Sequence, residues 1–143
     1  MPNSPATPGS TEPRRTILLA EDNVATAEMT AEVISHFGYN VVVARDGLEA
    51  ITCARQHQPS LILMDVQMPN MDGLTATRAL KQDPATAGIP VICLTALAME
   101  KEAARSREAG AVLHLSKPMD FDRLAQLLAQ YTSEPARKIP PPV

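Results

Sequence analysis

Five side chains scattered through the sequence have the types and positions to do chemistry together: Glu21, Asp22, Asp65, Thr95 and Lys117. Asp65 is central. The apolar run Leu61-Ile62-Leu63-Met64 leads up to it and reads as a strand buried on both faces. The turn-rich stretch Met68-Pro69-Asn70-Met71-Asp72-Gly73 follows it. The others likewise stand at the carboxyl ends of short apolar runs, and open α/β sheets keep their chemistry along that edge. Three carboxylates gathered there repel one another. A pair about 5 Å apart, at an effective dielectric of about 20, costs ~3 kcal/mol. Such a cluster calls for a cation or for raised carboxyl pKa values. Oxygen donors without a neighbouring histidine or cysteine favour a hard divalent ion, Mg2+ or Mn2+. A lysine ammonium and a threonine hydroxyl on the same edge suit a phosphoryl group. With no Gly-rich phosphate loop in the sequence, the simplest chemistry is transfer of a phosphoryl group onto a carboxylate.

The elements that must position these groups alternate strictly. Strands are predicted over about Thr16–Ala20, Asn40–Ala44, Leu61–Met64, Ile89–Leu94 and Val112–Leu115. Helices are predicted over about Val24–His36, Leu48–His57, Gly73–Lys81 and Ala98–Glu108, with a last one capped by Asp120. Gly38 and Gly110 supply helix stops. The inward stripes are Met29, Val33, Ile34 and Phe37 on the first helix, and Leu48, Ile51 and Cys53 on the second. Phe121, Leu124, Leu128 and Tyr131 form the stripe of the last. The fourth helix is alanine-rich and charged, with a thin apolar face. Five strands alternating with five helices imply a parallel sheet covered on both faces. Periodicity alone leaves the strand order open.

Composition bounds the rest. The chain has 143 residues, two cysteines and a formal charge of −3, enough for one self-sufficient core without a disulfide. The charge balance argues against nucleic acid as the main partner. No run approaches the roughly 18 apolar residues of a membrane span, and the N-terminus lacks a signal-peptide core, so a soluble cytoplasmic protein is expected. Cys53 and Cys93 read as reduced core packing. Residues 1–14 and 132–143 each hold four prolines. They read as a disordered N-terminal segment and a Pro-rich C-terminal tail around a domain at 15–131. The prolines at 140–142 read as part of a solvated tail rather than a polyproline ligand.

Taken together, Glu21-Asp22-Asn23, Leu63-Met64-Asp65-Val66-Gln67-Met68-Pro69 with Met71-Asp72-Gly73, Ile89-Pro90-Val91 with Leu94-Thr95-Ala96, and Ala109-Gly110 with Lys117-Pro118 resemble the receiver (response-regulator) domain of two-component signalling. The resemblance spans about Arg15 to Gln130. It implies a flavodoxin-like (βα)5 open parallel sheet with strand order 2-1-3-4-5. It implies Asp65 as the nucleophile that takes phosphate from a phosphohistidine, with magnesium held by Glu21, Asp22, Asp65 and the backbone carbonyl of Gln67. Thr95 would bond the phosphoryl oxygen, Lys117 would pair with it, and the Lys117-Pro118 bond would be cis, aiming the lysine inward. The implied partners are a sensor histidine kinase or histidine phosphotransferase and a downstream effector protein, with no nucleic acid and no membrane.

Two positions leave alternatives open. His114 stands where the family commonly carries Tyr or Phe, and is either the switch side chain or a surface-facing histidine. Gln67 either tunes phosphate lifetime or is a loop residue at the rim. His36 and His57 read as solvated helix residues. Phosphorylation is expected to repack the face of helix four, strand five and helix five, giving output by protein contact. Leu97-Ala98-Met99 and the wording after Asp65 resemble both stand-alone regulators and receivers of hybrid histidine kinases. The domain is read as a phosphoacceptor switch, not an enzyme. A magnesium-dependent phosphatase commonly has a second Asp where Gln67 stands, and the acidic Glu21-Asp22-Asn23 loop would repel the phosphate of a flavin carrier.

Overall fold

The computed structural model describes residues 14–96 and 100–137. Residues 1–13 of the predicted N-terminal segment, the Leu97-Ala98-Met99 stretch and the prolines at 140–142 lie outside the described residues. The chain runs β1(Thr16–Ala20), α1(Val24–His36), β2(Asn40–Ala44), α2(Gly47–His57), β3(Leu61–Asp65), α3(Gly73–Gln82), β4(Val91–Thr95), α4(Glu100–Ala109), β5(Leu113–Ser116) and α5(Phe121–Arg137). All four strand pairings are parallel and the order is β2-β1-β3-β4-β5. This is the flavodoxin-like sheet that the motifs imply.

Strand alternation explains the two-sided core. Ile17, Leu19, Leu61, Leu63, Ile92 and Leu94 pack with Ile34 of α1 and with Leu124 and Leu128 of α5. Leu18, Ile62, Met64 and Cys93 point the other way, against Ala50 and Ala54 of α2, Leu74 and Leu80 of α3, and Ala109 of α4. β1, β3 and β4, flanked on both edges, are almost wholly buried, as continuous apolar runs require.

The caps follow the sequence. Asn23, Asp46 and Asp72 each accept the backbone N–H three residues on, from Thr26, Glu49 and Thr75. Asp120 Oδ1 accepts from Asp122 N at 2.9 Å at the start of α5. Gly38 ends α1 at φ +104°, a conformation that side chains with a Cβ disfavour.

Several predicted inward residues do not face inward. Met29 and Leu48 are each 52% exposed and Phe37 is also exposed. The buried residues of α1 are Ala27, Thr30 and Ile34, and those of α2 are Gly47, Ala50 and Ala54. Small side chains let these helices lie close to the sheet, and the bulky ones are left at the flanks. The predicted fourth strand begins too early. Pro90 has no N–H to give the ladder, so β4 starts at Val91, while Pro90 accepts from Ile62 N at 3.0 Å. At the other end, α5 continues to Arg137, into the segment 132–143 read from the sequence as a Pro-rich tail.

Candidate functional site

The alternation that builds the core also builds the site. In β1, β3 and β5 the odd-numbered side chains Ile17 and Leu19, Leu61 and Leu63, and Leu113 and Leu115 share one face. Glu21, Asp65 and Lys117 continue those three series by one step at the carboxyl ends. The pairings Leu19↔Leu63 and Leu63↔Ile92 hold the ends level. The strand order sets β1 and β3 side by side, where the connections diverge to opposite sheet edges.

Asp65 and Glu21 are buried, and Lys117 reaches across β4 to both. Its Nζ donates to Asp65 Oδ2 at 2.7 Å and to Glu21 Oε1 at 3.0 Å. Asp65 Oδ1 accepts from Gln67 N at 3.2 Å, and Glu21 Oε2 accepts from Asn23 N at 3.2 Å. Asp22 is exposed, but one oxygen from each of Glu21, Asp22 and Asp65 falls within a mutual 4.8 Å. The Lys117-Pro118 peptide is cis. Lys117 N donates to Thr95 O at 2.8 Å, tying the lysine loop to the end of β4.

The electrostatics follow from burial. Burial pushes the Glu21 carboxyl above its ordinary pKa, with the nearby Asp65 charge acting in the same direction, while the bonds from Lys117 and Asn23 oppose both. Burial works against the Lys117 ammonium, but its bonds to Asp65 and Glu21 outweigh it and raise its pKa. Three carboxylates against one ammonium leave an excess of negative charge. An all-oxygen, anionic donor set at these separations fits a hard divalent cation.

The remaining predicted residues are placed as follows. Thr95 is buried at the end of β4, pairing with Ser116 and one strand over from Asp65. Gln67 is exposed on the loop after β3. His114 is half-buried, lies opposite Cys93 and is not part of the acidic cluster. By alternation it shares the face of Cys93 and Thr95, the face that α4 covers. His36 and His57 are exposed at the ends of α1 and α2.

Two residues of the motifs have a second role that their type did not signal. Asn23 caps α1 and also anchors Glu21 through its backbone. Gly73 lies so close to the β3–α3 loop that a Cβ there would strike the Asp65 carbonyl oxygen, while its N–H bonds Val66 O at 2.9 Å. The predicted turn role of Gly73 is thus also a requirement for close approach.

Comparison with known proteins agrees. The family profile described as response regulator receiver domain matches residues 17–129. The polar-differentiation response regulator DivK of Brucella anthropi is 37% identical over 120 residues, spanning 84% of this chain and 98% of the relative. The signal receiver domain of a histidine kinase from Syntrophus aciditrophicus is 34% identical, covering 90% of this chain and 96% of its own, with a TM-score of 0.78. A sensor histidine kinase receiver domain from Pseudomonas aeruginosa, with magnesium coordinated in its active-site cleft, is 30% identical. It covers 85% of this chain and 99% of its own, with a TM-score of 0.79. Among the described residues no helix is long and apolar enough to cross a membrane. The chain belongs to the response regulator receiver domains, phosphorylatable signalling switches that work with histidine kinases and effector proteins and bind magnesium in an acidic pocket.

Proposed function

We propose that this domain takes a phosphoryl group from a phosphohistidine onto Asp65 and signals through the face formed by α4, β5 and α5. The observation that carries the reading is the buried Asp65 carboxylate, held 2.7 Å from Lys117 Nζ and beside the oxygens of Glu21 and Asp22. An Asp65 oxygen attacks phosphorus as the P–N bond of the phosphohistidine breaks. The bonding pair leaves on the imidazole nitrogen, and an acyl phosphate forms. Lys117 would pair with the phosphoryl oxygens, and Thr95, one strand away, would donate its hydroxyl to them. Glu21, Asp22, Asp65 and the Gln67 carbonyl would hold Mg2+ or Mn2+, which supplies positive charge against the phosphoryl oxygens.

The modification adds about two negative charges where Lys117 now bonds two carboxylates. Drawing Thr95 and Lys117 inward changes the end of β4 and its link to the loop after β5. α4 is held on its inner side by the small residues Ser106 and Ala109, so its position can shift at low cost. His114, on the same face as Thr95, is the candidate side chain to move with it. Binding of a protein partner at this face is the output.

The test uses a histidine phosphotransferase carrying labelled phosphate on its histidine, mixed with the domain and a magnesium salt. Label should move to wild type and not to Asp65→Asn, and chelation should stop transfer. Transfer to Asp65→Asn at the wild-type rate would overturn the assignment.

A further inference from the structure

Between α1 and the start of α5 lies a cavity of about 440 Å³, within the range of small-molecule sites. Its walls are Leu19 and Leu94 from the sheet, Phe121 from α5 and Met29 from α1. Glu21 and Lys117 close one end. That end is already paired: Lys117 bonds both carboxylates, and Glu21 Oε2 is held by Asn23 N.

Thr30 is the exception. It lines the cavity and is only 3% exposed, yet its hydroxyl has no hydrogen-bond partner among the described residues. Three other helical threonines return the hydroxyl to the carbonyl four residues back. Thr52 does so to Leu48 O, Thr77 to Gly73 O and Thr132 to Leu128 O. A buried hydroxyl without a partner is rare, and this one borders an apolar space.

We infer that the cavity binds a small uncharged aromatic alcohol, with the ring against Leu19, Leu94, Phe121 and Met29 and the hydroxyl paired with Thr30. The apolar walls disfavour a charged ligand, and the Lys117 ammonium at the closed end is already engaged by Glu21 and Asp65. Phe121 and the Met29 sulfur favour an aromatic body over an aliphatic one. Thr30, able to donate and to accept and more deeply buried than Thr26 on the same wall, supplies the polar anchor.

The test is a two-dimensional amide NMR titration of the full chain with phenol and, separately, toluene, in which a methyl replaces the hydroxyl. Both should saturate, with shifts concentrated at Leu19, Thr30, Leu94 and Phe121, and phenol should bind about fivefold more tightly. Thr30→Val keeps the side-chain shape and should erase that preference while leaving toluene binding in place. Met29→Trp, at the exposed rim, should block both compounds. Lack of saturation by either compound, an unchanged preference in Thr30→Val, or shifts centred elsewhere would overturn the inference. None of these readouts involves phosphoryl transfer.

Discussion

Lys117 is the residue on which the charge balance of the cleft turns. Among the described residues its ammonium is the one positive group bonded to two buried carboxylates, and removing one member of a buried ionic group leaves the rest uncompensated. Lys117→Met should lower stability by about 2 kcal/mol in a chelated urea titration, a value reduced for the lysine's partial exposure. Magnesium should restore most of the loss, and binding of the ion should persist while phosphorylation-dependent switching fails. A second residue-scale prediction concerns Asp46. The Glu49 N–H, and then the Asn70 amide, hold its carboxyl below the ordinary carboxylate pKa. A depressed folded-state pKa gives stability that is present above the unfolded value and is lost as pH falls through the folded one. The stability gap between wild type and Asp46→Ala should therefore be full near neutrality, about 1 kcal/mol for a helix cap, and close below about pH 4. The charged residues of the cleft were legible in the sequence because each stands at or just past the end of a short apolar strand. Thr30 was not legible, because a missing hydrogen bond is a property of three-dimensional neighbours.

Elements were read well in kind and order, less well in facing. The strands and helices stand where alternation and caps put them, but the inward stripes of α1 and α2 were chosen by size. Met29, Phe37 and Leu48 look like core residues by hydrophobicity. The sheet takes the predicted Ile34, but otherwise Ala27, Ala50 and Ala54, because small side chains let helix and sheet approach closely. The correction can be tested by thermal unfolding. Leu48→Ser should change stability by no more than about 0.5 kcal/mol, whereas Ala50→Leu should overpack the interface and cost about 2 kcal/mol. Were Leu48 the buried residue, the order of the two effects would reverse. α4 is attached without large buried apolar groups, Ser106 and Ala109 being its buried contacts among the described residues. Its amides should exchange with solvent faster than those of α3, which buries Leu74 and Leu80, under conditions where the sheet stays protected.

At the scale of the whole molecule, the parallel sheet stiffens the β1, β3 and β5 ends and carries the acidic residues at its rim, so that folding assembles a site whose charges do not balance. Strand order was implied by the motifs and not by periodicity, since any order of five parallel strands would give the same hydrophobic pattern. The central claim is that this rim brings phosphate to Asp65. The most direct measurement is intact mass after incubation with magnesium and a small-molecule phosphodonor, on wild type and on Asp65→Asn. The account predicts one added phosphoryl group on wild type, none on Asp65→Asn, and none on either when the divalent ion is chelated. Equal labelling of the two proteins would contradict it.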